Sequence, residues 1–338
     1  MVSITGDKVE KVYDGQLSSV TYETKISDSD YKESDFKFIG AAKTITKTDA
    51  GIYDLILENQ FINQNDNFDV TFNISNGQLV IKKRSVTLTS ASAEKAYDGT
   101  ALTKDGVNIS VPTATTGFVL GEGIAPKMTG TQTEVGSSDN TFTFEPTLAT
   151  KLDNYDLTTE YGTLTVLPSV NVQKTDSDWT PLSGGKFKLS KWDGSNWVAV
   201  EGVSELAITD VSGVNIPVGL KAGIYRLEET AAPNGYIVLD KALHFTVTET
   251  KSDSGQSSFA VALSDETGTP ATFDRAKLLG GGSNYSNRIQ IANQSGKALP
   301  HTGGQGTMVY ILSGLAMMGL AILVTYVQKH NRERSDFS

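Results

Sequence analysis

Only a few of the residue types that usually carry out chemistry are candidates in this 338-residue sequence. Cysteine is absent, which excludes disulfides, thiolate zinc sites and a cysteine nucleophile together. The only histidines are His244, His301 and His330, which fall in a strand-like stretch, a short Pro/Gly element and a basic tail. No Ser/His/Asp triad or histidine metal site can be assembled from histidines placed in this way. The remaining candidates are lysine, asparagine and carboxylate side chains.

The carboxylates do not indicate a metal site or a hydrolase. Asp28, Asp30 and Asp35 lie in an acidic stretch, but the glycine and terminal glutamate of an EF-hand are missing, which favours a solvated loop over a calcium site. A glycosidase with two carboxylates usually needs a larger cleft than a small β-sandwich offers. The formal net charge of -10 leaves no basic stripe for nucleic acid. We therefore predict neither an enzyme nor a bound cofactor.

The most specific motif is YRLEETAAPNGY at residues 225–236. It resembles the E-box of Cna B-type (SpaA-like) pilin domains, YxLxETxAPxGY, at every fixed position. The flanking stretches VQKTDSDWTPLSGGKFKL and IQIAN resemble the first strands and the last strand of that family, with Lys174 and Asn293 in the lysine and asparagine positions. The resemblance implies that Lys174 and Asn293 join in an intramolecular isopeptide bond, with Glu229 as the catalytic residue.

The three residue types suit this reaction. Lys174 must be desolvated enough to lose its proton, and burial lowers the pKa of a lysine while it raises that of a glutamic acid. A protonated Glu229 can then hydrogen-bond the Asn293 carboxamide, polarise its carbon and shuttle protons as ammonia leaves. Glu228 and Asn287 are the nearest alternatives, but Glu228 falls at a variable position of the motif and Asn287 starts its strand too early. The contrasting interpretation places Lys174 and Glu229 on exposed strand surfaces, with no bond.

The C-terminal residues 299–338 combine three further elements. The first is an LPxTG pentapeptide, and the second is the uncharged stretch 307–327, which as a helix spans the roughly 30 Å hydrocarbon core of a bilayer. The third is a basic tail with Lys329, Arg332 and Arg334. The positive-inside rule keeps that tail in the cytoplasm and the preceding residues outside.

This order of elements resembles the cell-wall sorting signal of Gram-positive surface proteins. The resemblance implies that a sortase recognises Leu299, Pro300, Thr302 and Gly303, attacks the Thr302 carbonyl and releases the chain from Gly303 onward. The acceptor would be an amine of the peptidoglycan precursor or of a pilin. We therefore expect the protein at the cell wall and cell surface, with membrane contact only before sorting.

An internal repeat indicates how the rest of the chain is built. EKVYDGQ at 10–16 returns as EKAYDGT at 94–100, a shift of 84 positions, and the closing stretches 67–81 and 154–166 are similar as well. Both copies consist of short runs of alternating apolar and polar residues, separated by Asp-Gly, Asn-Gly and Gly-Ser turns. The copies resemble the tandem immunoglobulin-like YDG repeats of bacterial surface proteins. Since Met1 aligns inside the first strand of its copy, we expect a signal peptide and further domains to precede it.

These patterns predict an all-β chain of tandem immunoglobulin-like β-sandwich domains, followed by a single C-terminal transmembrane helix. The predicted boundaries are 1–84 and 85–168 for the two YDG-type repeats, 169–298 for the Cna B-type domain and 299–338 for the sorting signal.

The predicted function is that of a sortase-anchored structural or adhesion protein, a stalk or minor pilin. The alternative is a surface-anchored carboxylate-type hydrolase or its non-catalytic ligand-binding region. No YPK pilin motif is present, so a pilus base subunit and a monomeric adhesin stay open, as does a host or extracellular-matrix ligand.

Overall fold

The computed structural model describes residues 1–147, 149–296, 323–325 and 327. The predicted all-β fold is confirmed. Apart from strands, the regular structure of the described residues is limited to two 3-10 helices, Glu33–Asp35 and Leu152–Asn154, and the helical residues 323–325 and 327. The strands follow from period-two alternation: in the first one, Val2, Ile4 and Gly6 are buried while Ser3 and Thr5 are not.

The first region contains strands β1 (Val2–Gly6), β2 (Lys8–Val12), β3 (Ser18–Val20), β4 (Tyr22–Ile26), β5 (Phe36–Phe38), β6 (Ile45–Lys47), β7 (Gly51–Leu55), β8 (Phe61–Asn63), β9 (Phe72–Ser75) and β10 (Gly77–Lys82). The second region contains β11 (Arg84–Ser90), β12 (Ala93–Ala96), β13 (Val107–Ile109), β14 (Ile124–Met128), β15 (Gly136–Asp139), β16 (Phe142–Pro146), β17 (Tyr155–Glu160) and β18 (Thr163–Leu167).

The two regions pair their strands in the same way. The sheet β4-β1-β9 of the first corresponds to β13-β11-β17 of the second, and β2-β10-β7 corresponds to β12-β18-β15. In each, the opening strand runs parallel to a late strand, β9 or β17, and the strand that leads into Tyr-Asp-Gly runs parallel to the last strand. Two-stranded sheets β3-β6, β5-β8 and β14-β16 complete the described pairing.

The third region is a sandwich of two sheets. Its strands are β19 (Val170–Thr175), β20 (Pro181–Leu182), β21 (Lys186–Trp192), β22 (Trp197–Ala199), β23 (Leu206–Ala207), β24 (Val214–Asn215), β25 (Gly223–Ala231), β26 (Leu243–Lys251), β27 (Ser257–Ser264), β28 (Ala276–Gly282) and β29 (Tyr285–Ala292). One sheet has the order β20-β19-β29-β28, with β24 also on β19. The other has the order β22-β21-β25-β26-β27, with β23 also on β21.

The hydrophobic core of the third region lies between these sheets. Val172 and Ile289 from the first sheet and Leu227 and Phe245 from the second are each fully buried in one cluster. Burial of such side chains stabilises the fold by roughly 1.5–3 kcal/mol each. A separate cluster is shared by the first and second regions. The third sandwich therefore brings its opening strand, its closing strand and the motif strand β25 against a common core.

Candidate functional site

The E-box motif occupies β25, and the alternation of that strand decides which of its side chains enter the core. Tyr225, Leu227 and Glu229 point inward and are buried, whereas Glu228 on the opposite face is exposed. The Tyr225 hydroxyl donates to the Lys221 carbonyl oxygen at 2.6 Å, which satisfies the polar end of a buried ring. The alternation of β25 therefore places the Glu229 carboxylate in the core, at the end of a face that is otherwise apolar.

Lys174 and Asn293 come from the opposite sheet, on neighbouring strands. β19 and β29 are parallel, and their register pairs Lys174 with Ile291. The sequence placed Asn293 within the last strand, but β29 ends at Ala292 and Asn293 is the next residue. Its backbone N–H still donates to the Thr175 carbonyl oxygen at 3.0 Å, which fixes the start of its side chain beside Lys174.

The structure brings all three predicted side chains into mutual contact. Lys174 Nζ donates to Asn293 Oδ1 and lies 3.3 Å from Glu229 Oε1. Asn293 Nδ2 donates to Glu229 Oε1 at 3.0 Å and to Oε2 at 3.1 Å. The glutamate therefore bridges the lysine nitrogen and the asparagine amide nitrogen. It accepts from the carboxamide through Nδ2, whereas the sequence predicted that it would donate.

The surroundings of the three groups are almost free of solvent. Lys174 is 0% exposed, Glu229 is 6% exposed and Asn293 is 1% exposed. Lys174 Nζ lies 5.6 Å from the centroid of the Phe187 ring. Burial lowers the pKa of Lys174 to about 8, against the opposing effect of the Glu229 charge. An ordinary surface lysine is almost never neutral near pH 7, whereas burial shifts this amine towards the neutral, nucleophilic form.

A loop after β25 holds the reacting groups in place. The Leu239 backbone N–H donates to Glu229 Oε2 at 2.8 Å. The Ile237 N–H donates to the Gln294 carbonyl oxygen at 3.0 Å, and the Gly296 N–H donates to the Gly235 carbonyl oxygen at 2.7 Å. The loop that follows β25 therefore orients the carboxylate and also binds the chain that follows Asn293.

The alternative residues are not part of this cluster. Glu228 is exposed and lies 3.7 Å from Arg226 on the outer face of its sheet. Asn287 pairs with Val170, four positions before Lys174 on the neighbouring strand. The interpretation of Lys174 and Glu229 as exposed surface residues is wrong, because both are buried.

Sequence reasoning missed two contributors to the site. The Leu239 N–H is a backbone group, so no residue type signals it. Phe187 carried a usable signal, because it is one of the two inward residues of the alternating stretch KFKL; in the structure it pairs with Glu229 on β25.

The other predicted features lie away from this cluster. The acidic stretch forms local turns, in which the Asp30 N–H donates to Asp28 Oδ1 at 2.9 Å and the Lys32 N–H donates to Asp35 Oδ2 at 2.7 Å. Within the described ranges, no group of three or more His, Asp or Glu side chains could hold a metal ion. His244 lies on β26 beside Trp197, at 5.2 Å between ring centroids.

The predicted sortase residues Leu299, Pro300, Thr302 and Gly303 lie outside the described residues. The same holds for the predicted membrane helix 307–327, apart from 323–325 and 327. In the part of the chain that the structure describes, no helix is both long and apolar enough to cross a bilayer.

The solved structures similar to this chain include pilus proteins. A group B streptococcus pilus 2b backbone protein is 22% identical, with 50% of this chain and 55% of that chain covered and a TM-score of 0.29. The pilus adhesin RrgA of Streptococcus pneumoniae is 20% identical, with 43% and 17% covered and a TM-score of 0.28. A C-terminal fragment of the pilus adhesin SpaC from Lactobacillus rhamnosus GG is 16% identical, with 64% and 100% covered and a TM-score of 0.31. The chain thus spans only part of the first two proteins, and TM-scores this low do not establish a common arrangement of domains.

Two family models match parts of the chain. Residues 168–258 match the SpaA prealbumin-like fold domain, and residues 292–334 match the LPXTG cell wall anchor motif. No curated protein matches the chain. The first match contains Lys174 and Glu229, and the second begins one residue before Asn293. The chain is therefore a cell-wall-anchored surface protein that carries a SpaA prealbumin-like domain.

Proposed function

We propose that this protein is a stalk or minor pilin subunit whose third domain is stapled by an autocatalytic Lys174–Asn293 isopeptide bond. The single observation that supports the bond most strongly is the contact of three solvent-excluded side chains, a lysine, an asparagine and a glutamate that touches both of their nitrogens.

The reaction balances without a cofactor. Glu229 takes a proton from the Lys174 ammonium, and the neutral amine attacks Cγ of Asn293. Glu229 then returns that proton to Nδ2, which leaves as ammonia, and takes the second proton from the former lysine nitrogen, so that one C–N bond forms, one C–N bond breaks and Glu229 ends protonated. The bridging position of Glu229, within 3.3 Å of Nζ and 3.0 Å of Nδ2, suits both transfers. Holding the amine against the carboxamide makes the aminolysis intramolecular, which is worth several kcal/mol of activation free energy, up to roughly 7–11.

The position of the bond suits a load-bearing stalk. β19 is the first strand after the second region, and β29 is the last strand before the sorting signal. A covalent link between Lys174 and Asn293 carries tension from the cell wall to the outer regions without passing through residues 175–292. Such a link also replaces disulfides in a chain that has no cysteine.

The remaining roles follow the sequence. A sortase joins Thr302 to an amine of the peptidoglycan precursor or of a pilin, and the 307–327 span holds the chain in the membrane only until that step. The two outer regions, which pair their strands equivalently, are tandem YDG-type repeats that raise any preceding domain away from the wall.

Intact-mass spectrometry tests this function directly. Residues 1–302, which include every described strand and end at the proposed cleavage point, should be one ammonia lighter than their sequence. Asn293→Ala should have its full sequence mass. A wild-type protein with the full sequence mass would show that the contact does not proceed to a bond.

A further inference from the structure

The Tyr-Asp-Gly turns take no part in the proposed isopeptide reaction. They have the same hydrogen bonds and backbone conformation in both repeats. In each turn the aspartate accepts from the backbone N–H two residues later and from the lysine three residues earlier, and the glycine has a positive φ. The first turn has Gln16 N to Asp14 Oδ1 at 2.9 Å, Lys11 Nζ to Asp14 Oδ1 at 2.7 Å and Gly15 at φ 74°. The second has Thr100 N to Asp98 Oδ1 at 2.9 Å, Lys95 Nζ to Asp98 Oδ1 at 2.7 Å and Gly99 at φ 78°. The two turns therefore share one local conformation, held by the same set of hydrogen bonds.

Each turn lies against the region that follows it in the chain. The Tyr13 hydroxyl donates to Glu122 Oε1 at 2.6 Å, and the Tyr155 hydroxyl donates to Glu122 Oε2 at 2.8 Å. The two rings pack edge to face at 5.5 Å, and Phe118 packs on Tyr155 at 4.8 Å. Burial and the neighbouring Glu122 raise the pKa of Tyr13 to about 12, so its hydroxyl stays protonated and acts as a donor. Tyr13 is 4% exposed and belongs to the core cluster shared by both regions.

Arg84 closes the same junction from the second region. It is 5% exposed, and its Nη1 donates to the Tyr13 carbonyl oxygen at 3.1 Å. Its Nε donates to the Gly117 carbonyl oxygen at 2.7 Å, and Nη2 donates to the Thr113 carbonyl oxygen. The guanidinium therefore ties the backbone of the first turn to a loop of the second region. A buried cation is costly unless its N–H groups are hydrogen-bonded, so a junction movement that took these carbonyl acceptors away from Arg84 would be unfavourable.

The second turn meets the third domain mainly through its glycine. A Cβ atom on Gly99 would lie 2.0 Å from the carbonyl oxygen of Ser283, at the tip of the β28–β29 hairpin. Lys221 Nζ lies 3.0 Å from Glu94 Oε1, and the Ser257 N–H donates to Ser137 Oγ at 2.6 Å. No long linker separates the regions, because β11 follows β10 after one residue and β19 follows β18 after two. The turn contacts therefore set the angle at each junction.

From these contacts we propose that the Tyr-Asp-Gly turn is the docking element through which each repeat seats the next domain of the chain. The partner surface is a domain of this same chain. At the first junction it presents a carboxylate, aromatic rings and a buried arginine, and at the second it presents a hairpin tip. The repeated motif thus holds neighbouring domains at a fixed angle, in addition to forming part of the fold of each repeat.

Spin-label distances across the junctions test this proposal, because a chain without cysteine accepts labels at chosen positions. Exposed residues on β4, β13 and β21 supply the labels, as Glu23→Cys, Asn108→Cys and Lys188→Cys in residues 1–302. The Glu23–Asn108 pair reports on the first junction, and the Asn108–Lys188 pair reports on the second. Both wild-type distance distributions should be narrow.

Tyr13→Phe removes one hydroxyl from the first junction, and Tyr97→Phe is its matched control, since no side-chain hydrogen bond of Tyr97 is found among the described residues. Tyr13→Phe should broaden or shift the Glu23–Asn108 distribution and leave the Asn108–Lys188 distribution as it was. Tyr97→Phe should change neither. If Tyr13→Phe folds with an unchanged first-junction distribution, the tyrosine does not dock the regions.

Gly99→Ala tests the second junction, with Gly121→Ala as its control. Both glycines have positive φ, 78° and 87°, so both substitutions strain the backbone, but a Cβ on Gly121 would meet nothing within 4 Å. Gly99→Ala should shift the Asn108–Lys188 distance, whereas Gly121→Ala should not. Equal effects of the two substitutions would overturn the docking role of Gly99.

Discussion

Replacing Lys174 with methionine should remove the crosslink while it disturbs the core little. Methionine has a similar length and places no charge beside Phe187. The loop closed by the bond spans 119 residues. In the chain-entropy treatment of crosslinks, a loop of that size stabilises the folded state by about 5 kcal/mol at 25 °C. For a domain of this size, that difference lowers the melting temperature by roughly 15–25 °C.

Tryptophan fluorescence makes the measurement specific to the third domain, because all three tryptophans, at positions 179, 192 and 197, lie within it. Thermal unfolding of residues 1–302 is followed for the wild type, Lys174→Met and the surface control Lys188→Met. The control should melt within a few degrees of the wild type, since exposed substitutions usually change stability by less than about 0.5 kcal/mol. A Lys174→Met domain that melts with the wild type would refute the reasoning, because no crosslink of this span could then be present.

Three further outcomes are expected. Glu229→Gln should have the full mass of its sequence, whereas the exposed neighbour variant Glu228→Gln should be one ammonia lighter than its sequence. Equal masses for the two variants would show that Glu229 does not act in bond formation. Bond formation in freshly translated chain, followed by quenched mass spectrometry, should be faster at pH 8 than at pH 6. Burial lowers the pKa of Lys174 to about 8, so the fraction of Lys174 that is neutral amine grows between pH 6 and pH 8. A rate of bond formation that falls as the pH rises would contradict this reasoning. Thr302→Ala should make the protein extractable from cell walls by detergent, unlike His301→Ala, and an alanine variant that stays bound to the wall would exclude sortase attachment at Thr302.

The all-β fold and the inward orientation of Glu229 could be predicted from sequence because local patterns specify them. Alternation along β25 already places Tyr225, Leu227 and Glu229 on one face. Lys174 and Asn293 required the family resemblance, since their pairing depends on two strands that are 119 residues apart. Nothing local in either strand shows that β19 and β29 are parallel neighbours.

Other contacts had no sequence signature. The Leu239 N–H that binds Glu229 is a backbone donor, present at every residue except proline. Glu122 lies 109 positions from Tyr13, so its role at the first junction depends on how two regions pack. The repeat was visible in the sequence, but the function of its Tyr-Asp-Gly turn at the junctions depends on contacts that only the three-dimensional structure contains.

Peptide mapping of the wild-type protein tests the isopeptide bond most directly. Trypsin does not cleave after a lysine whose side chain is an amide, so a linked Lys174 leaves residues 152–186 as one peptide. We predict that tandem mass spectrometry finds this peptide joined to residues 289–297, with a total mass one ammonia below the sum of the two. Separate peptides 152–174, 175–186 and 289–297, each with its full sequence mass, would contradict the bond and the function built on it.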